Sequence, residues 1–127
     1  MVKLNVFSTR LSGYLQETKA LRFLQKNGYR CVDRNFSCKF GEIDLIVIKP
    51  DEILVFVEVR YRKNNAFGTP AETVSNRKQA RLRKTASCFL QKHKAFATLP
   101  CRFDVIAISN PVDCSQSGIE WIKQAFY

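Results

Sequence analysis

The sequence has few of the residues that build metal sites and disulfide frameworks. Among its 127 residues there is one His, and the five Cys residues form an odd number without a C-x-x-C pair. Zinc sites and disulfide frameworks need tighter Cys and His spacing than this. We therefore expect reduced, mostly buried thiols in a cytoplasmic protein. His93 is the only His available to a catalytic Cys, but it lies in QKHKAF, which is typical of the polar end of a helix.

Long apolar runs are also missing. No stretch approaches the roughly 20 consecutive apolar residues of a membrane span, and the N-terminal segment has neither the apolar core nor the cleavage site of a secretion signal. The composition, 46% hydrophobic and 12% aromatic, excludes a disordered basic tail. There are no repeats, low-complexity tracts or long linkers. We therefore expect one domain over residues 1–127, with its core from about residue 10 onward.

Acidic residues are scarce in one segment of the chain. The sequence carries 21 Lys and Arg against 11 Asp and Glu, a formal net charge of +10. Residues 60–94 hold ten of the basic residues and a single acid, Glu72. Such a local excess is typical of a surface that binds a polyanion, although a solvated basic helix face is the alternative. The candidate phosphate-binding residues are Arg60, Arg62, Lys63, Arg77, Lys78, Arg81 and Lys84.

Hydrophobic periodicity predicts the order α-β-β-β-α-β, followed by a short final strand. A first helix at about 11–27 ends at Asn27-Gly28, and a second spans about 75–92. Strands are predicted at 29–38, 42–48, 53–61, 102–109 and near 119–122. Dense Ile, Val, Leu and Phe content predicts that the second and third strands are covered on both faces. The expected fold class is α/β, a single domain with a mixed central sheet flanked by helices.

Two carboxylates interrupt the most apolar segments of the chain. Asp44 lies within IDLIV and Glu58 within VFVEV. Because burying an unpaired carboxylate is costly, each of them needs a partner. If a three-residue turn pairs Lys49 with Ile53, Asp44 lies directly across from Glu58, with Cβ atoms about 4.5–5.5 Å apart. A four-residue loop without a bulge would instead point the two acids to opposite faces.

Two adjacent carboxylates need a cation between or beside them. Oxygen ligands on a strand pair suit Mg²⁺ or Mn²⁺, which bind a few carboxylates together with water and substrate phosphate. Glu17, on or beside the apolar stripe of the first helix, is a candidate third carboxylate. The alternative is that Arg60 or Arg102 neutralises each acid in a structural ion pair. For Asp104, inside RFDVIAI, an ion pair with Arg102 on the same face is expected.

The segments around these acids resemble a known family. GEIDLI at residues 41–46 and VFVEVR at 55–60, with weaker matches from about residue 10 to the closing WIKQAF, resemble the YraN family of bacterial proteins. Asp44 followed by Glu58-Val59-Arg60 also resembles the D…(D/E)-x-K signature of the PD-(D/E)XK nuclease superfamily. The resemblance implies an αβββαβ restriction-endonuclease-like core, similar to that of archaeal Holliday-junction resolvases.

The resemblance further implies metal-dependent hydrolysis of DNA phosphodiesters. Asp44, Glu58 and the backbone carbonyl of Val59 would then bind Mg²⁺ or Mn²⁺, with Glu17 as the helical acid. Arg60 stands where the signature has Lys. Because Arg stays protonated, it can bind a phosphate but is a poor general base. Lys78 is the candidate for the missing role, provided that the second helix packs against the end of the third strand.

Three classes of function remain open from the sequence. The first is a metal-dependent endonuclease acting on DNA, including branched or damaged DNA. The second is a non-catalytic nucleic-acid-binding module on the same fold, and the third is a basic helix that binds an acidic protein. DNA is expected as a partner ahead of RNA, and no membrane is expected. The similarity to resolvases also implies a homodimer.

Overall fold

A computed structural model describes residues 2–62, 74–109 and 118–127; for residues 2–10 and residue 62 only the backbone is described. The elements are α1 (Val2–Lys26), β1 (Arg30–Cys38), β2 (Gly41–Lys49), β3 (Ile53–Arg62), α2 (Asn76–Lys92), β4 (Cys101–Ser109) and β5 (Ile119–Phe126), with a 3-10 turn at Lys94–Phe96. This order confirms the predicted succession of helices and strands. Of the helices described, none is both long and apolar enough to cross a membrane.

The strands form one mixed sheet in the order β1-β2-β3-β4-β5. Strands β1, β2 and β3 are antiparallel neighbours, β3 and β4 are parallel, and β4 and β5 are antiparallel. A parallel pair needs a crossover connection, and α2 lies in the segment that joins β3 to β4. This five-stranded sheet with two helices confirms the predicted α/β class and is consistent with a restriction-endonuclease-like core.

The two helices cover opposite faces of the sheet. On one face Phe89 of α2 packs against Phe36 and Phe56, with ring centroids 5.2 and 6.1 Å apart. On the other face Ala20 and Leu24 of α1 are fully buried against the sheet. Successive side chains of a strand point to opposite faces, so β2 and β3 contribute to both apolar layers. The predicted covering of these strands on both faces is confirmed.

The apolar stripe of α1 is buried only in its later turns. The helix begins at Val2, well before the predicted start near residue 11, and ends at Lys26, close to the predicted stop. Leu11 and Leu15, which share the predicted stripe with Ala20, are 52% and 50% exposed. The periodicity therefore identifies the helix but not the point at which the sheet begins to cover it.

Strand β5 is longer than the sequence pattern predicts. It continues to Phe126, which pairs with Phe103 of β4 and stacks on its ring with centroids 4.8 Å apart. Phe126 is buried, and Trp121 packs against the apolar layer under α1. Both aromatic residues therefore cap the core.

The turn between β2 and β3 fixes the alignment of these strands. The Glu52 N–H donates a hydrogen bond to the Lys49 carbonyl at 3.0 Å. Pro50 takes the second position of the turn, and Asp51 takes the third with φ 64°, the positive φ that a type II turn needs there. Lys49 pairs with Ile53, as the three-residue connection predicts.

Candidate functional site

Asp44 and Glu58 lie where β2 and β3 separate. Regular pairing of the two strands runs from the turn as far as Leu45 and Val57, one position before the acids. Beyond that point Asp44 Oδ2 accepts a hydrogen bond from the Val59 N–H at 2.8 Å. The carboxylate thus takes the place of a strand partner for the β3 backbone. The register brings the two acids together, as the three-residue turn predicts.

The two carboxyl groups form a hydrogen-bonded acid pair. Glu58 is buried, with 7% of its surface exposed, and Asp44 is half-buried. Burial, the hydrogen bond to Glu58 and the charge of Glu58 raise the pKa of Asp44 to about 8, although the Val59 N–H acts in the opposite direction. At neutral pH Asp44 therefore favours its protonated form, and a cation binding there would displace that proton.

Two cationic side chains contact Glu58. Lys78 Nζ lies 2.5 Å from Glu58 Oε2, and Arg60 Nη2 lies 3.9 Å from the same oxygen. Lys78 belongs to the first turn of α2, where its N–H donates to the hydroxyl oxygen of the N-cap residue Ser75 at 3.1 Å. The packing of α2 against the end of β3, on which the candidate role of Lys78 depends, is therefore present. Arg102 pairs with a different acid, as described below.

The acid pair opens into a cleft of about 330 Å³. The cleft is lined by Gly41, Glu42, Asp44, Glu58, Lys78, Arg81 and Leu82. The start of β2 approaches α2 closely because residue 41 is Gly, with φ 152° and only 3.3 Å between an added Cβ and Thr85 Oγ1. Glu42 is exposed at the rim of the cleft. Acidic groups from the sheet thus face basic groups from the helix.

Glu17 contacts a different partner. Its Oε1 lies 3.6 Å from Arg34 Nε, and Arg34 also donates to Thr18 Oγ1 at 2.8 Å and stacks over the Tyr14 ring at 3.8 Å. The charge of Glu17 contributes to the raised pKa of Asp44, as the smallest of its causes. Within the described part of the chain, no group of three or more His, Cys, Asp or Glu is placed to hold a metal ion. The metal-binding roles of Glu17 and of the Val59 carbonyl stay predictions.

The donor set of the acid pair suits a hard divalent cation. Asp44 and Glu58 supply carboxylate oxygens from neighbouring strands, and the cleft leaves room for water and phosphate oxygens. Mg²⁺ in particular is bound through one or two carboxylates plus water and substrate phosphate rather than by a full cage of protein ligands. Two carboxylates are therefore enough to fit such an ion.

Exposed cations extend from the cleft along α2 and onto the β1–β2 turn. Arg77, Arg81 and Lys84 are all exposed on the helix. Lys84 Nζ lies 5.6 Å and Lys39 Nζ 5.1 Å from the centroid of the Phe40 ring in the turn. We call Lys39, Arg77, Lys78, Arg81 and Lys84 the basic surface. Sequence reasoning missed Lys39 and Phe40, because the turn itself is visible in the sequence but its approach to α2 is not.

Asp104 belongs to a separate structural network on the α1 face. Arg102 donates to both carboxylate oxygens, from Nε at 2.7 Å and Nη2 at 2.8 Å. Trp121 Nε1 at 2.8 Å and the Gln124 N–H at 2.9 Å complete four hydrogen bonds to a carboxylate that is fully buried. The predicted ion pair is confirmed. Asp104 is satisfied within the core and takes no part in the candidate site.

Three predicted features lie wholly or partly outside the described residues. Arg62 ends β3 with only its backbone described, and Lys63 and Cys114 fall outside, so their roles stay predictions. The described cysteines are free thiols, as expected. They are less buried than expected, because Cys101 is exposed and the others are half-buried: Cys31, Cys38 and Cys88.

The fold and the site define a small α/β protein with a carboxylate pair where two central strands diverge, consistent with a restriction-endonuclease-like core. The family model for the uncharacterised protein family UPF0102 matches residues 16–108, and the chain belongs to that family. This confirms the predicted YraN-type family.

Similar proteins share nearly the whole chain. The UPF0102 protein of Vibrio parahaemolyticus is 47% identical over 122 residues, covering 96% of this chain and 97% of its own. The UPF0102 protein of Stutzerimonas stutzeri is 46% identical over 115 residues, with 91% and 93% covered. That of Pseudomonas putida strain W619 is 44% identical over 115 residues, with 91% and 92% covered. These names state a family and no activity.

Proposed function

We propose that this protein binds nucleic acid and hydrolyses DNA phosphodiesters with Mg²⁺ or Mn²⁺ in the cleft between the sheet and α2. The observation that carries the proposal is the hydrogen-bonded pair of Asp44 and Glu58 beside the first turn of a basic helix. A carboxylate pair next to cations provides, in one place, ligands for a divalent ion and contacts for a phosphate.

Each side chain of the cleft has a distinct part in this proposal. Asp44 and Glu58 would hold the ion, with the Val59 carbonyl as a further ligand. When bound, the ion supplies Lewis acidity, which lowers the pKa of water and stabilises negative charge on phosphate. Asp44 gives up its proton on binding, while its contact with the Val59 N–H keeps the carboxylate oriented.

The cations in and beside the cleft would bind the phosphate. Arg60 has a planar guanidinium suited to two phosphate oxygens. Lys78 is held by Glu58 at the mouth of the cleft, from where its ammonium group can reach a phosphate oxygen. Arg81 and Lys84 extend the contacts along the nucleic-acid backbone.

The test is a cleavage assay with Mg²⁺ or Mn²⁺ on linear, flapped and four-way-junction DNA, with an RNA duplex beside them. We compare the wild type with Asp44→Asn and Glu58→Gln. The matched control is Glu52→Gln, an exposed acid in the turn at the other end of the same strand pair. Changes to groups that merely support metal ligands cost about 10–100-fold, so losing a ligand should cost at least as much. Cleavage that is equal in all four proteins would contradict the proposal.

A second candidate function is supported by residue 60. Arg in place of the signature Lys, together with a Lys78 engaged by Glu58, favours a module that binds nucleic acid without cutting it. Salt-sensitive retention of one DNA form, with no cleavage by the wild type in either metal, would establish this alternative. Absence of DNA binding at low salt would contradict both functions.

A homodimer is the assembly that we propose on the strength of the resolvase resemblance. Sedimentation of the full chain with and without four-way-junction DNA tests it directly. A mass of one chain at every concentration, free and DNA-bound, would contradict the dimer without affecting the proposed chemistry.

A further inference from the structure

Two cysteines that are distant in sequence meet beside the cleft. Cys38 is the last residue of β1 and Cys88 lies on α2, and their thiols are in hydrogen-bond contact. Both are half-buried, so a small reagent can reach them. Because one thiol is on the sheet and the other on the helix packed against it, their contact follows from the fold.

The surroundings of Cys38 stabilise a thiolate. The Phe40 N–H donates to Cys38 Sγ at 3.4 Å, and the Gly41 N–H and the Cys88 thiol also hydrogen-bond to it, whereas the Thr85 hydroxyl donates to the Arg81 carbonyl at 2.8 Å. Burial acts to raise the pKa of Cys38, but these donors outweigh it and the net pKa is lowered. A thiolate with several donors around it is the nucleophilic form of cysteine.

The pKa of Cys88 is shifted in the opposite direction to that of Cys38. Its hydrogen bond to Cys38, followed by burial, raises the pKa of its thiol, against the opposing charges of Lys92 and Lys39. The pair therefore combines a thiol that accepts a backbone N–H and has a lowered pKa with a second thiol whose pKa is raised. This is the arrangement of an attacking cysteine next to a resolving cysteine.

Two other described cysteines lack this arrangement. The Cys31 thiol donates to the Asp33 carbonyl at 3.7 Å, and the Cys101 thiol donates to the Leu99 carbonyl at 3.6 Å. A thiol that donates to a carbonyl is stabilised in its protonated form, and burial raises the pKa of both. They serve as internal controls for reactivity.

We propose that Cys38 and Cys88 are a peroxide-sensitive thiol pair whose oxidation forms a disulfide between the end of β1 and α2. The Cys38 thiolate attacks one oxygen of a hydroperoxide, which breaks the O–O bond and leaves Cys38 as a sulfenic acid, while the second oxygen departs as hydroxide and takes up a proton. The Cys88 sulfur then attacks the Cys38 sulfur, and the departing hydroxide leaves with the thiol proton as water. In total two thiols and one hydrogen peroxide give one disulfide and two waters.

The disulfide would act on the neighbouring cleft. Gly41 and Arg81 line the cleft, and Gly41 already lies against Thr85, one helical turn before Cys88. A bond from Cys38 to α2 would fix the β1–β2 turn against this part of the helix. The proposed redox site is independent of the proposed hydrolysis, because it needs neither metal nor nucleic acid.

The experiment uses the full reduced chain, exposed to one equivalent of hydrogen peroxide and then to iodoacetamide. Peptide mapping by mass spectrometry should show a peptide cross-linked through Cys38 and Cys88, about 2 Da lighter than the sum of its reduced parts. Cys31 and Cys101 should remain alkylated. Cross-links joining other cysteines, or uniform alkylation of all of them after oxidation, would overturn the proposal.

Variants separate the two chemical steps. In Cys88→Ser the sulfenic acid should persist on Cys38 and be captured there by dimedone, whereas Cys38→Ser should form neither adduct nor cross-link. Cys31→Ser should behave as wild type. Should a variant fail to fold, the wild type alone decides, because Cys38 should react with iodoacetamide faster than Cys31 and Cys101 do. Equal rates would contradict the assigned thiolate.

Discussion

At the level of the single residue, the Asp44 carboxyl group makes two different hydrogen bonds. Its carboxylate accepts the Val59 N–H at the point where regular strand pairing ends, and it shares a hydrogen bond with Glu58. The first contact orients the group, and the second adds to burial in raising its pKa. A carboxyl group with a raised pKa favours its protonated form, and the proposed metal binding requires that this proton is lost.

The raised pKa of Asp44 predicts how stability changes with pH in the metal-free protein. The pKa rises from 3.8 to about 8 on folding, so the folded protein keeps a proton that the unfolded chain has released. The contribution is fully present below pH 3.8 and is lost as the pH rises through about 8. The free energy of unfolding should therefore fall across this range, and fall less in Asp44→Asn, where position 44 does not titrate.

Urea denaturation of both proteins at about pH 5 and about pH 8.5 measures this difference. Glu52→Gln again serves as the control, since it removes a carboxylate that is exposed. An identical pH dependence in the wild type and Asp44→Asn would contradict the shifted pKa.

Lys78 should oppose metal binding while favouring phosphate binding. Its ammonium group occupies Glu58 Oε2, so Lys78→Met should tighten Mn²⁺ binding in the absence of DNA. Since a partly exposed ion pair contributes about 1 kcal/mol or less, the gain should be up to about fivefold. DNA binding should weaken in the same variant. Isothermal titration with Mn²⁺ measures this affinity, and Lys84→Met is the control that removes the same charge. Equal Mn²⁺ affinities of Lys78→Met and Lys84→Met would contradict competition by Lys78.

At the level of elements, the Asp104 network holds β4 and β5 together under α1. Asp104→Ala would leave the Arg102 guanidinium, the Trp121 N–H and the Gln124 N–H without their acceptor. Removing one partner of a buried ion pair costs about 3–5 kcal/mol, and we expect a loss of that size in the free energy of unfolding.

Trp121→Phe measures how much a single hydrogen bond of the same network contributes to the free energy of unfolding. It removes one hydrogen bond to the carboxylate and should cost about 1.5–3 kcal/mol, part of it through altered packing. Chemical denaturation of the two variants tests the ranking. A smaller loss in Asp104→Ala than in Trp121→Phe would contradict the account of the network.

Local chemistry determined what the sequence could predict about the elements. The β2–β3 turn depends on its own four residues, so the sequence reduced the choice to two loop lengths, of which the three-residue one predicts the observed pairing of Lys49 with Ile53 and the meeting of Asp44 and Glu58. The contact of Lys78 with Glu58 depends on how the chain crosses from β3 to β4. The sequence therefore predicts a role for Lys78 only on the condition that α2 packs against the end of β3. The burial of α1 and the meeting of Cys38 with Cys88 depend on packing between distant segments, which periodicity does not encode.

At the level of the whole molecule, the basic surface and the candidate site lie on the same face of the sheet. The basic surface lies on the side of α2, whereas α1 covers the opposite face and carries Arg22 exposed. Arg81→Gln should therefore weaken DNA binding and reduce the slope of log K against log salt by about one unit. Arg22→Gln removes the same charge from the opposite face of the molecule. It should change the DNA affinity and the salt slope less than Arg81→Gln does. Equal slopes in the two variants, measured by fluorescence anisotropy, would contradict the assigned surface.

The parallel pairing of β3 with β4 has a consequence for how a newly made chain folds. The β1–β2–β3 meander closes through short turns, whereas β4 can pair only after the crossover that contains α2 has been made. Contacts between distant segments form more slowly than local ones. The carboxylate pair should therefore assemble first and gain its Lys78 partner only when the helix docks. Pulsed hydrogen exchange during refolding should accordingly protect the amides of β2 and β3 before those of β4 and β5.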